Sequence, residues 1–115
     1  MDGRTQLPVI EWMKRRHGVD YVDSITEPGP VKILAEAGMS SPARSIMGRL
    51  AVSVERHGSR VVALVIHHDC TGNPEPKAKQ LAQLRKARET VRNWGFDVRL
   101  VGLWVDRNWR VHEVK

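Results

Sequence analysis

The chain has 115 residues, 41% hydrophobic and 28% charged, values ordinary for a soluble globular protein with one core and too short for two. No apolar run approaches the roughly 18–20 residues of a membrane-spanning helix. The opening MDGRTQLPVIEWMKRR is charged where a secretory leader is apolar, and a lone cysteine permits no internal disulfide, so a single cytoplasmic domain over residues 1–115 is expected.

The formal charge of +6 and the pI of about 10.1 raise nucleic acid as a partner. The positive residues at Lys14–Arg16, Arg44, Arg49 and Lys77–Arg92 are dispersed, however, and in the last stretch they alternate with Ala, Leu and Gln at helical spacing. That is the pattern of a solvated helix face. With no finger, no aromatic RNA-binding signature and no helix-turn-helix, nucleic acid is set aside.

In chain order, Thr5 is placed to cap a helix that carries Pro8 in its first turn and runs to His17, ended by Gly18. Asp20–Thr26 is expected to form a short strand through Tyr21, Val22 and Ile25. Glu27-Pro28-Gly29-Pro30 forces a turn, and Val31–Ala37 suits a short helix. Ser41-Pro42 opens a stronger helix to His57, with Ile46, Met47, Leu50, Ala51 and Val54 on one stripe and Gly58 as its stop.

Arg60–Ile66 is almost continuously apolar and β-branched, as expected of a strand covered on both faces. A loop over His68–Pro76 leads to a helix from Lys77 to Trp94, ended at Gly95. Asp97–Val105 reads as a further strand, Asp106-Arg107-Asn108 as a tight connection and Trp109–Val114 as an alternating edge strand. Helices alternating with strands predict an α/β three-layer sandwich around a mostly parallel sheet.

In such a sheet, ligands bind beyond the carboxyl ends of the strands. His67 and Cys70 follow the most hydrophobic strand at that end. Imidazole and thiolate together suit zinc, and a three-residue offset lets both converge on one ion from a tight turn. Gly72, Asn73 and Pro74 keep the following loop irregular. The alternative is a buried Cys and a hydrogen-bonded His at a strand end, and the motif alone leaves both open. Asp69 is positioned to orient an imidazole; His68 is expected on the opposite, solvent side, and Asp23 in solvent. His17, His57 and His112 receive no role. Trp12, Trp94, Trp104 and Trp109 are assigned to packing, with Trp104 and Trp109 on adjacent strands as a patch for self-association.

The run VVALVIHHDCTG resembles the second zinc motif of β-class carbonic anhydrases, a hydrophobic strand ending in His-x-x-Cys followed by glycine. The opening Met1-Asp2-Gly3-Arg4 is similar to the last four residues of that family's Cys-x-Asp-x-Arg motif, with the Cys falling just before residue 1. The order of the remaining elements is also similar, although the chain is shorter than typical members and lacks their N-terminal helical arm. The resemblance implies His67 and Cys70 as zinc ligands and a homodimeric lyase that hydrates carbon dioxide to bicarbonate through a zinc-bound hydroxide. It implies that Asp2 accepts a hydrogen bond from the bound water or ligates the metal, and that Arg4 pairs with Asp2.

The first Cys has no counterpart in residues 1–115. Either a strand ending in Cys is encoded just upstream, in which case the first central strand is missing here, or Asp2, the terminal amine or His68 takes its place. A non-catalytic carbonic anhydrase-like module that binds zinc or a small anion is the alternative function.

Overall fold

The computed structural model describes residues 1–36 and 38–115. Helix α1 spans Gly3–His17 and begins two residues before the expected cap. The Asp2 carboxylate accepts the Arg4 N–H at 2.9 Å, while Thr5 lies inside the first turn and directs its own N–H and hydroxyl to the Asp2 carbonyl at 3.0 and 2.8 Å. Both residue types favour caps; Asp2 takes the position because its side chain reaches the free N–H of the turn. Pro8 therefore falls in the second turn, where it forfeits one helical hydrogen bond. Gly18 closes the helix at φ 62°, a left-handed conformation open to glycine.

Asp20–Thr26 does not form the expected strand. It runs past the C-terminal end of the third helix and is fastened by a side chain: the Asp23 carboxylate accepts the Ser53 hydroxyl and meets His57 Nδ1, each at 2.6 Å. Tyr21, the largest apolar residue of the stretch, is 91% exposed, so the pattern that resembled a half-buried strand does not reflect burial. Helix α2 (Pro30–Ala35) follows Gly29; of the expected Val31–Ala37 helix, Ala37 lies outside the described residues. Helix α3 (Ser41–His57) is capped by the Ser40 hydroxyl on the Ala43 N–H and closed by Gly58 at φ 74°.

The sheet has three strands in the order β1-β2-β3. Strand β1 (Val61–His67) pairs in parallel with β2 (Arg99–Val105), Val61 opposite Arg99 and His67 opposite Val105. Helix α4 (Lys77–Asn93) makes the crossover between them. Strand β3 (Val111–Val114) returns antiparallel on β2 after a turn in which Asp106 Oδ1 accepts the N–H groups of Asn108 and Arg110. The sheet is thus mixed, with one parallel and one antiparallel ladder.

Side chains alternate across a strand, and the two faces of β1 differ. Leu64 and Ile66 join a core with Val31 and Leu34 of α2, Ile46 and Leu50 of α3, Leu84, Ala87 and Val91 of α4, and Trp104 of β2. Burying each such aliphatic side chain contributes about 1.5–3 kcal/mol. Gly102 lets α4 approach: a Cβ there would lie 2.9 Å from Leu84 Cδ2. Trp104 is buried in this core, so it does not form an exposed patch with Trp109. Val61, Ala63 and Val65 face the other way, into a cavity shared with α1 and the Val19–Thr26 segment. Among the described residues no helix is long and apolar enough to cross a membrane.

Candidate metal centre

The C-terminal end of β1 delivers His67, and the next three residues turn sharply. His68 extends the ladder by one bond, its N–H reaching the Val105 carbonyl at 2.9 Å. Asp69 then adopts φ 57°, a left-handed conformation in which Asp is several-fold enriched. That reversal returns Cys70 to the interior. His67 and Cys70 are both buried, whereas His68 and Asp69 between them are exposed, as the expectation for His68 required.

The His67 ring approaches the carbonyl oxygen of His68 through Nδ1 at 2.7 Å. A carbonyl only accepts, so Nδ1 carries the proton and Nε2 is left as a lone-pair donor. The expectation that Asp69 orients an imidazole is therefore corrected. Asp69 Oδ2 instead accepts from Arg4 Nη1 at 3.2 Å, because the left-handed backbone turns its carboxylate toward α1.

Arg4 is the hub of the cluster. Its Nη2 donates to Asp2 Oδ2 at 2.6 Å and its Nε to Asp2 Oδ1 at 3.1 Å, while Nη2 also reaches the Asp69 carbonyl at 3.2 Å. The guanidinium carbon lies 4.3 Å from the centre of the Trp109 ring. Trp109 is presented there by a residue φ of 61° at the end of the β2–β3 turn. Arg4 thus fastens the start of α1 to the loop that carries His67 and Cys70. Its side-chain hydrogen bond, followed by its backbone N–H, holds the Asp2 carboxyl well below the usual carboxylate range.

Three supports of this loop lay outside the sequence reading. Gln80 of α4, buried, donates from Nε2 to the carbonyl oxygens of His67 and Glu75, both at 3.0 Å. Asn73, also buried, donates from Nδ2 to Gln83 Oε1 at 2.7 Å. Gly72 lies against the Pro28-Gly29 turn so closely that a Cβ would fall 2.4 Å from the Pro28 carbonyl carbon. The only prior sign of the last was the glycine in each of EPGP and CTGN.

The donor set suits zinc in kind, one imidazole nitrogen and one thiol, and falls short in number. Among the described residues no group of three His, Cys, Asp or Glu side chains is gathered to hold a metal ion. The expected substitutes for a third donor are engaged elsewhere: Asp2 by Arg4, and the terminal amine by the Glu27 carbonyl at 3.1 Å. His68 leans toward Trp109, ring centres 6.5 Å apart.

Comparison with known proteins gives one assignment. The searches of curated proteins and of solved structures return no match. A family model described as "Putative carbonic anhydrase" matches residues 1–115. Since the match takes in the Asp2–Arg4 pair and the His67-x-x-Cys70 strand end together, over the full length given, the chain belongs to this carbonic anhydrase-like family.

Proposed function

We propose that residues 1–115 act as one cytoplasmic, β-class carbonic anhydrase-like domain, a homodimeric zinc lyase that interconverts carbon dioxide and bicarbonate. The observation that carries this reading is the Arg4 bridge: it holds Asp2 beside the loop of His67 and Cys70, joining two motifs 63 residues or more apart in the chain. A three-layer arrangement is part of the proposal, supported by the α2–α4 core on one face of β1 and the α1-lined cavity on the other.

His67 Nε2 and the Cys70 thiolate would hold zinc. When bound, zinc supplies a Lewis acid that makes hydroxide available near neutral pH for attack on carbon dioxide. The protein's own residues set the conditions. The His68 carbonyl fixes the His67 tautomer. Arg4 keeps Asp2 ionised, so that Asp2 serves as a hydrogen-bond acceptor rather than as a base that titrates near neutrality. Burial keeps the thiol away from bulk solvent and oxidants.

Zinc content measured by atomic emission, followed by stopped-flow hydration of carbon dioxide, tests the proposal. Stoichiometric zinc with hydration above the buffer rate supports it, and absence of zinc sinks it. Zinc without hydration favours the second reading, a non-catalytic module for zinc or a small anion, for which the shortfall of a third donor among the described residues speaks.

A further inference from the structure

Among the described residues, two that are not glycine have a positive φ, Asp69 at 57° and Trp109 at 61°. Aspartate visits the left-handed region readily, whereas a residue as bulky as tryptophan is an outlier there. Arg4 touches both. Its Nη1 donates to Asp69 Oδ2 and its Nη2 to the Asp69 carbonyl, each at 3.2 Å, and its guanidinium carbon lies over the Trp109 ring, 4.3 Å from the centre.

The β2–β3 turn imposes that conformation on Trp109. The Asp106 carbonyl accepts the Trp109 N–H at 2.9 Å, and the Asp106 N–H donates to the Arg110 carbonyl at 3.0 Å. Asp106 Oδ1 accepts the N–H groups of Asn108 and Arg110 at 2.8 and 3.0 Å. In this kind of hairpin the left-handed position is ordinarily filled by glycine. A tryptophan there adds nothing to the turn. Backbone strain of this kind persists where the surroundings over-determine it, and it clusters at functional sites. What tryptophan brings is its ring, and the ring meets Arg4.

The Arg4 side chain is 46% exposed, so burial does not hold it. Its hydrogen bonds to Asp2 and Asp69 act along the N–H directions of one planar fork. The Trp109 ring adds a restraint of another kind, attraction of the cation to a broad aromatic face. We infer that Trp109 is a positioning residue: its ring holds the Arg4 guanidinium where it serves Asp2 and Asp69 together, and so sets the place of the Asp2 carboxylate beside the loop of His67 and Cys70. The consequence for carbon dioxide hydration rests on the proposed function; the hold on Arg4 needs no metal.

The test is the exchange of the Arg4 Nε–H with solvent, read by NMR on the zinc-free protein at one pH. Trp109→Leu keeps apolar bulk without an aromatic face and should speed exchange by roughly two- to fivefold, the range for a cation–π contact at an exposed site. Trp109→Phe keeps a face and should restore most of the slow exchange. Trp109→Gly removes the ring but relaxes the turn, so it should free Arg4 as fully as Trp109→Leu while unfolding at a higher urea concentration than that variant. Equal exchange in the parent and all three variants would overturn the assignment, as would a phenylalanine variant indistinguishable from leucine. So would exchange that merely follows the urea midpoint across the series, since the ring would then act through stability alone. In the zinc-loaded protein, Trp109→Leu should lower kcat for hydration with KM and zinc content unchanged, and Trp109→Phe should rescue it; an unchanged kcat would overturn the bearing on Asp2. A parent without hydration would remove the proposed function, and the exchange series alone would then decide the role of Trp109.

Discussion

Replacing Gly72 with alanine tests whether the metal loop is seated by backbone contact alone. Gly72 has no positive φ, so alanine brings no conformational penalty of its own and the effect is steric. Its Cβ would lie 2.4 Å from the Pro28 carbonyl carbon, 2.6 Å from the Gly29 nitrogen and 2.8 Å from Pro28 Cα. Non-bonded carbons are comfortable at about 3.5–4.0 Å, so the first contact is short by roughly 1 Å. All three atoms are backbone, and no rotamer change relieves them. One segment has to move: either the Pro28-Gly29 turn, which leads into α2, or the loop between Cys70 and Asn73.

Overpacking costs about 1–3 kcal/mol where side chains can yield, so the upper end, about 3 kcal/mol, applies here. Against a total stability of about 5–15 kcal/mol, urea denaturation should show a clearly lower midpoint at unchanged slope, and zinc retention should fall with it. Gly48→Ala is the control. Gly48 is exposed within α3 and has nothing within 4 Å of its added Cβ, so that variant should gain about 0.5–1 kcal/mol from helix propensity. If Gly72→Ala leaves midpoint and zinc content unchanged while Gly48→Ala stabilises, the close approach is not part of the native loop.

The remaining expectations concern the site itself. Cys70→Ser should bring bound zinc to near zero by atomic emission, and unchanged stoichiometry would remove Cys70 from the ligand set. Arg4→Ala should lower the rate of carbon dioxide hydration far more than it lowers zinc content, since Arg4 touches Asp2, Asp69 and Trp109; equal losses of both would make its role structural. Gln80→Leu strips the buried carbonyl of His67 of its side-chain donor and should destabilise by about 1–3 kcal/mol, read by chemical denaturation; a stability equal to the parent would show that solvent replaces the amide. Asp2 has a folded pKa below its unfolded value of about 3.9. Its pairing is therefore complete above about pH 5 and is lost only as pH falls through the depressed value, so the Asp2 carboxyl carbon should show no titration step by NMR between about pH 5 and 9. A step in that window would mean that Arg4 does not hold it.

The helices and β1 are legible in the sequence because each carries its own stop and start. Gly18 and Gly58 end α1 and α3 in left-handed geometry, and the β-branched run from Val61 marks a strand by composition alone. Asp20–Thr26 misleads because seven residues with three apolar positions fit a strand whether or not a neighbour exists to pair with. What settles it is Asp23 on Ser53 and His57, 30 and 34 residues on, which no local pattern announces. The site divides in the same way. The His67-x-x-Cys70 offset is local and readable, but the bond from Arg4 to Asp69 spans 65 residues. The support from Gln80 depends on how α4 crosses the sheet.

The two edge strands of the sheet differ in composition. Strand β3 presents His112 and Glu113 in a run of four residues, and its position at an edge agrees with that composition. Strand β1 holds the other edge with the composition of a strand that has neighbours on both sides. Local pattern and global position normally agree in a foldable sequence, and where they diverge the divergence marks function or assembly. Here the sequence reading of Arg60–Ile66 as covered on both faces is met on the face of Leu64 and Ile66. On the other it meets a cavity walled by α1. The carboxyl end of the same strand is where His67 and Cys70 stand, so the cavity beside Val65 adjoins the candidate metal centre.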